Sequence, residues 1–212
     1  MYQANPPTPA HALRLLLDGK HLATICLDDF DVVSARVHGS KVDDDVATLY
    51  VHAGIYPQSG ESTYLTWVDH LPLQPGQALT AYFDTTGVTA PAGKTIDELY
   101  PDDDEAEEDD DAPELSREAV ISAVRAKPQL WASASFRCET SHGTVATGST
   151  RAEDHGFAFS IVKPPLPTKQ LKISLDTYTL DDVEQQAPGH YLLQESLAPG
   201  GWVRFEMTET QP

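Results

Sequence analysis

Alternation is the feature that most limits what this chain can fold into. Over most of its length apolar residues recur at every second position, the period of a strand with one buried face. Leu13, Leu15 and Leu17 alternate, Asp18-Gly19 supplies a hairpin turn in which glycine accepts positive φ, and Leu22 to Leu27 forms the return strand. Val33, Ala35 and Val37 follow, then Ala47, Leu49, Val51, Ala53 and Ile55, then Tyr64 to Val68 and Ala78 to Phe83. Past residue 128 the pattern resumes in Leu130 to Cys138, Phe157 to Ile161, Leu171 to Leu175, Tyr191 to Leu193 and Trp202 to Met207. Strands with one apolar face build antiparallel sheets that bury one side. The expected fold is therefore mainly β: two antiparallel sandwich or barrel-like units, with one short helix and an acidic linker.

The linker is the abrupt change between the halves. Residues 97 to 114 hold 12 of the chain's 33 acidic side chains and no Lys or Arg. Like charges at this density repel collapse, so the run centred on residues 102 to 111 reads as a solvated linker or arm. After it, Ser116 to Ala126 has helical signals. Ser116 can cap, Glu118 lies at the positive end, Arg125 and Lys127 lie at the negative end, and Pro128 follows. Ala119, Val120, Ala123 and Val124 form its apolar stripe.

A shift of 124 residues superposes the two halves. It places Val33, Ala35 and Val37 on Phe157, Phe159 and Ile161, and Ala47, Leu49 and Val51 on Leu171, Ile173 and Leu175. It also places Leu73, Pro75 and Gly76 on Leu197, Pro199 and Gly200. The apolar register persists while the chemistry does not, a pattern that a diverged duplication gives and that two unrelated sheets of similar strand length could mimic. The organisation expected is an N-terminal β unit over 10–88, an acidic linker plus short helix over 89–127, and a C-terminal β unit over 128–210.

Several strings carry a resemblance. Leu15-Leu16-Leu17-Asp18-Gly19-Lys20, Asp28-Asp29-Phe30, Val33-Ser34-Ala35, and Tyr64-Leu65-Thr66-Trp67 before Leu73-Gln74-Pro75-Gly76 stand in the first half. Asp154-His155-Gly156-Phe157 and Tyr178-Thr179-Leu180-Asp181-Asp182 stand in the second. Together they resemble a family of uncharacterised bacterial β-rich proteins, over most of the chain outside the acidic run. The resemblance implies a β-rich fold and carries no activity or functional residue with it.

Charge and motif content narrow the function. A formal net charge of −19 disfavours general nucleic-acid binding, which needs cations for phosphates, and equally disfavours anionic membrane surfaces. The N-terminal segment has neither the basic start nor the apolar run of a secretory signal, and no apolar stretch approaches the ~20 residues of a membrane helix. Cys26 and Cys138 sit singly in apolar runs and read as buried free thiols, which suits a cytoplasmic setting. Nucleophile elbow, phosphate loop, dinucleotide fingerprint and zinc-protease motif are all missing. The eight histidines are scattered singly, with His38 and His52 flanking a turn where they could face each other. The Asp28-Asp29 and Asp43-Asp44-Asp45 clusters lack the interleaved spacing of a calcium loop and read as turn acids. Trp67 and Trp202 lie in alternating runs and are expected at the sheet cores.

These features point to a non-catalytic, acidic protein-binding module with a basic protein partner, needing no cofactor or metal. An immunity-type protein that neutralises a bacterial toxin or effector fits that description. The expected partner-binding residues are Asp102, Asp103, Asp104, Glu105, Glu107, Glu108, Asp109, Asp110 and Asp111 of the run, with Asp43, Asp44 and Asp45 of the turn. The competing readings are an enzyme whose site is dispersed over both halves, and a scaffold or adaptor.

Overall fold

In the computed structural model, which describes residues 10–43, 45–101, 116–165 and 170–208, twelve strands form two six-stranded antiparallel sheets. The alternating runs become β1 (Ala12–Leu17), β2 (Lys20–Cys26), β3 (Val32–Ser40), β4 (Ala47–Ile55), β5 (Thr63–Leu73) and β6 (Ala78–Asp84) in the first half. The second half supplies β7 (Ser135–Thr140), β8 (Val145–Ser149), β9 (Gly156–Lys163), β10 (Leu171–Tyr178), β11 (His190–Leu197) and β12 (Trp202–Thr208). Asp18 and Gly19 both adopt positive φ, 50° and 76°, and close the β1–β2 hairpin at Leu17 opposite Lys20. The Asp18 carboxylate also accepts the Ala78 backbone N–H at 2.9 Å, tying the hairpin to the start of β6.

The 124-residue correspondence is visible in the architecture. Shifting β3, β4, β6 by 124 residues reproduces the first residues of β9, β10 and β12, and the other three pairs agree to within three residues. The strand orders are β2-β1-β6-β12-β7-β8 and β11-β10-β9-β3-β4-β5, each reading the same from both ends under that shift. A pseudo-twofold axis therefore crosses the β6–β12 pair and the β3–β9 pair. Its passage can be located by residue. Arg36 pairs with Ser160 and Thr80 with Arg204, and each of these pairs is related to itself by the 124-residue offset. The turns match as well: Gly76 and Gly200, both 124 apart, have φ of 88° and 87°.

The first half contributes three strands to each sheet, as does the second, and one apolar cluster fills the space between the sheets. At its centre Phe159 of β9 stacks on Phe205 of β12, with ring centroids 4.7 Å apart and planes 10° apart. Neither sheet closes on itself, so the molecule is a sandwich and not a barrel. One open side is crossed by the chain after β6. Ala90 exchanges backbone hydrogen bonds with Thr24 on edge strand β2, and Lys94 does so with Thr66 on edge strand β5. That crossing occupies donors and acceptors that would otherwise invite another chain.

Among the described residues three short α-helices accompany the sheets: α1 (Ile96–Leu99), α2 (Arg117–Ala126) and α3 (Leu180–Gln185). Ser116 caps α2 by accepting from the Ala119 N–H, as expected. The buried face differs from the expected stripe: Ile121 is the buried side chain, while Ala119, Val120 and Ala123 are exposed. The helix packs chiefly against α3, so one buried side chain anchors it. Trp202 also departs from expectation. Val203, Phe205 and Met207 point inward, so the period of two places Trp202 outside the cluster and opposite Tyr82. Trp67 does pack against the core, edge-on to Phe30 at 5.5 Å, with its indole N–H on the Pro91 carbonyl.

Because both halves share both sheets and one core, unfolding should be a single transition, coincident by far-ultraviolet dichroism and tryptophan fluorescence in urea. Phe159→Ala removes a fully buried ring from the centre and should cost about 3–5 kcal/mol in that titration.

Candidate functional site

The outer face of the β11-to-β5 sheet carries the chemistry. At strand positions 36, 38 and 40 the side chains Arg36, His38 and Ser40 project away from the core, since Val33, Ala35 and Val37 project into it. Asp176 and Tyr178 do the same at the end of β10, and His155 precedes β9. The fold brings these together across the halves. His38 shares a 2.6 Å hydrogen bond with the Tyr178 hydroxyl, and their rings stack at 5.8 Å. Ser40 shares a 3.0 Å hydrogen bond with His155 Nε2.

The turn that holds His155 is fixed from below. Lys41 is fully buried and donates through Nζ to the carbonyls of Arg151 at 2.9 Å and Ala152 at 3.2 Å. Burial pulls its pKa below the usual lysine range, against the pull of Asp154 and Glu153. Asp154, also fully buried, binds the Arg151 guanidinium at 2.8 Å and accepts the Arg151 backbone N–H at 2.7 Å. Burial opposes its ionisation, yet those hydrogen bonds prevail and hold the carboxyl below its ordinary range.

Two helices roof this floor. Thr179 caps α3 through a reciprocal capping box with Asp182. Arg125 of α2 bonds Asp181 and, at 2.8 Å, Glu184 of α3, while Arg117 donates to the Val183 carbonyl. Between roof and floor lies a cavity of about 510 Å³, with an adjoining space of about 310 Å³ sharing Val42, Val124, Lys127, His155 and Leu180. Its lining is apolar on the helix side and polar on the sheet side.

Desolvation tunes the floor. Burial pulls His38 and His155 below the ordinary imidazole value of 6.5, so both rings are neutral at pH 7. Burial raises the Asp176 carboxyl above its ordinary range and raises the Tyr178 hydroxyl, which stays protonated. His52 also falls below 6.5 by burial, with Arg36 nearby as the second cause. Register separates it from His38: His52 pairs with Ser34 and His38 with Thr48, so the two do not face each other.

The expected site residues fare unequally. Asp43 lines the cavity rim, and Asp45 faces His70 at 3.4 Å on the neighbouring ribbon. Asp44 and residues 102 to 111 lie outside the described residues. The thiols are buried and free, and burial pushes Cys138 up to about 12, far from a reactive thiolate. Among the described residues no group of His, Cys, Asp and Glu could hold a metal ion, and no helix is long and apolar enough to cross a membrane. The Arg36, His38, Ser40, His155, Asp176 and Tyr178 floor is absent from the sequence-based site. Its signal was the outward register of β3, where Arg36 and His38 occupy alternate positions of a strand otherwise built from Val, Ala, Ser and Gly.

Compared with family models, curated proteins and solved structures, the chain matches none.

The neutral histidines give the site a pH signature. Their pKa values are lower folded than unfolded, so they leave stability intact above about 6.5 and remove it as pH falls through the folded values. Urea midpoints should therefore drop between pH 7.5 and 5, and His38→Asn combined with His155→Asn should flatten that drop.

Proposed function

We propose that the chain is a protein-binding module for a basic partner, of the kind that neutralises a toxin or effector. The observation that carries this reading is the β4–β5 ribbon and the segments flanking it, where tyrosines stand beside carboxylates. Tyr56 and Tyr64, 43 % and 53 % exposed, share a hydroxyl hydrogen bond, and Asp31 accepts the Tyr56 backbone N–H at 2.6 Å. Gly54 makes room for this pair, because a Cβ there would stand 2.9–3.0 Å from the Tyr56 ring. Further along, Tyr50 bonds His70 at 2.9 Å, His70 faces Asp45, and Tyr100 bonds Asp69. Tyrosine offers a large apolar ring with a polar tip at small entropic cost, which is why it is enriched at protein interfaces. Carboxylates between the rings favour a cationic partner, and the formal charge of −19 extends that attraction over longer range.

A second reading has one observation in its favour. Ser40 from the first half meets His155 from the second, with Asp43 close enough to raise the imidazole pKa against the larger effect of burial. That is the skeleton of a hydrolytic site dispersed over both halves. Ser40 is 4 % exposed, which leaves its hydroxyl poor access to a substrate.

Native affinity capture followed by stopped-flow association with the captured basic protein separates the two. Association should slow as salt rises. Neutralising residues 102 to 111 should lower the on-rate with little change in the off-rate, whereas Tyr56→Ala and Tyr64→Ala should shorten residence at least about tenfold if the ribbon is the contact. Substrate turnover by the isolated protein that Ser40→Ala abolishes would sink the binding reading.

A further inference from the structure

Arginines are scarce and heavily committed in this protein. Six of the seven hold internal partners: Arg14 on Asp84, Arg117 on the Val183 carbonyl, Arg125 on Asp181 and Glu184, Arg137 on Glu139, Arg151 on Asp154, and Arg204 on Glu206. Arg36 is the seventh. Its guanidinium makes no hydrogen bond or ion pair with a described residue; it is exposed at mid-sheet on the pseudo-twofold axis, lines the cavity under α2 and α3, and acts there through its charge on the neighbouring Asp176 carboxyl. In a chain with 33 acids, an exposed cation on a cavity lining that no carboxylate holds by a direct ion pair is available for a ligand.

The 124-residue correspondence supplies an independent control. The 124-residue shift relates His38 to Val162, Ser40 to Pro164, His155 to Asp31, Asp176 to His52 and Tyr178 to Gly54. The same strand geometry therefore forms without the polar floor. The hydrogen-bonded His38–Tyr178 and Ser40–His155 pairs are an addition on one side of the axis only, and that is the side roofed by α2 and α3. The stretch equivalent to α3 in the first half, residues 56–61, is not helical. Roof and polar floor occur together, and the scaffold requires neither.

We propose that the space beneath α2 and α3 binds a small amphipathic carboxylate. Its anionic end sits on Arg36 with Lys127 at the rim, and its apolar body lies against Val120, Ile121, Val124 and Val183. A planar guanidinium matches a carboxylate by two parallel hydrogen bonds, which a lysine could not supply. The neutral His38 and Tyr178 pair offers further hydrogen bonding without adding charge. Asp43 and Asp176 share the lining, so Arg36 and Lys127 have to outweigh the repulsion these carboxylates exert on the ligand. A cavity of about 510 Å³ falls within the range of small-molecule sites. This site goes beyond the protein-binding reading and does not depend on it.

The test uses the full chain with decanoate and the uncharged decan-1-ol as probes, followed by calorimetry and by the imidazole NMR signals of His38 and His155. Decanoate should bind at least about tenfold more tightly than decanol, the ratio given by one charge-assisted hydrogen bond, and should shift both imidazole signals. Arg36→Gln should remove that preference while leaving decanol binding and the unfolding midpoint unchanged. Lys172→Gln, on the same sheet face outside this cavity, should preserve it. Equal affinity for the two probes, a preference that survives Arg36→Gln, or absence of decanoate binding would each overturn the proposal.

Discussion

Two hydrogen-bonded seams, β3 with β9 and β6 with β12, hold the architecture together. Each half on its own has β3 and β6 at the edges of two three-stranded sheets, with their backbone donors and acceptors unpaired. Such edges are templates for another strand. Here the other half supplies it, in both sheets at once, and the Phe159–Phe205 stack forms where the seams face each other across the core. The outer edges that remain receive a different treatment. The crossing at Ala90 and Lys94 pairs with β2 and β5 on one side. On the other, Glu195 of β11 reaches Thr140 and Thr144 beside β8.

Much of this was legible from the period of two, because a strand with one buried face writes its geometry into every second residue. Eleven of the twelve strands carry that signal, and β8 does not. Val145 to Ser149 contains no large side chain on its half-buried face, only Ala146 and Gly148, so edge position and the close approach of Leu192 to Gly148 replace hydrophobic burial there. The helix α3 was hidden for another reason. Its six residues bury no side chain, so no amphipathic stripe exists, and its identity rests on the Thr179–Asp182 capping box.

The candidate site was less legible than the fold. A polar residue on an outward strand position resembles an ordinary solvated one until the tertiary structure shows what covers it. Arg36, His38 and Ser40 read as the wet side of β3. Only the placement of α2 and α3 beside them, with Ile121 buried, turns that side into a cavity lining in which His38 and His155 are half-buried and neutral. Pairings such as His38 with Tyr178 span 140 positions and come from β3–β9–β10 adjacency, which local sequence does not encode.

Symmetry explains why the chemistry lies where it does. The pseudo-twofold arrangement sets the two halves side by side along β3 and β9, so residues on the outer side of those strands gather at the axis from both halves. At such a place one substitution in one copy meets a different residue from the other. Arg36 opposite Ser160 is the limiting case, a single position in the repeat occupied by a cation in one copy and a hydroxyl in the other. Identical residues there would set two arginines side by side and repel, or two serines and offer no charge. The difference between the halves therefore avoids a like-charge contact and makes the floor asymmetric at once. The inner face has no such freedom. Val37 opposite Phe159 and Ala35 opposite Ile161 keep the apolar register in both copies, because every residue there still has to fill the shared core.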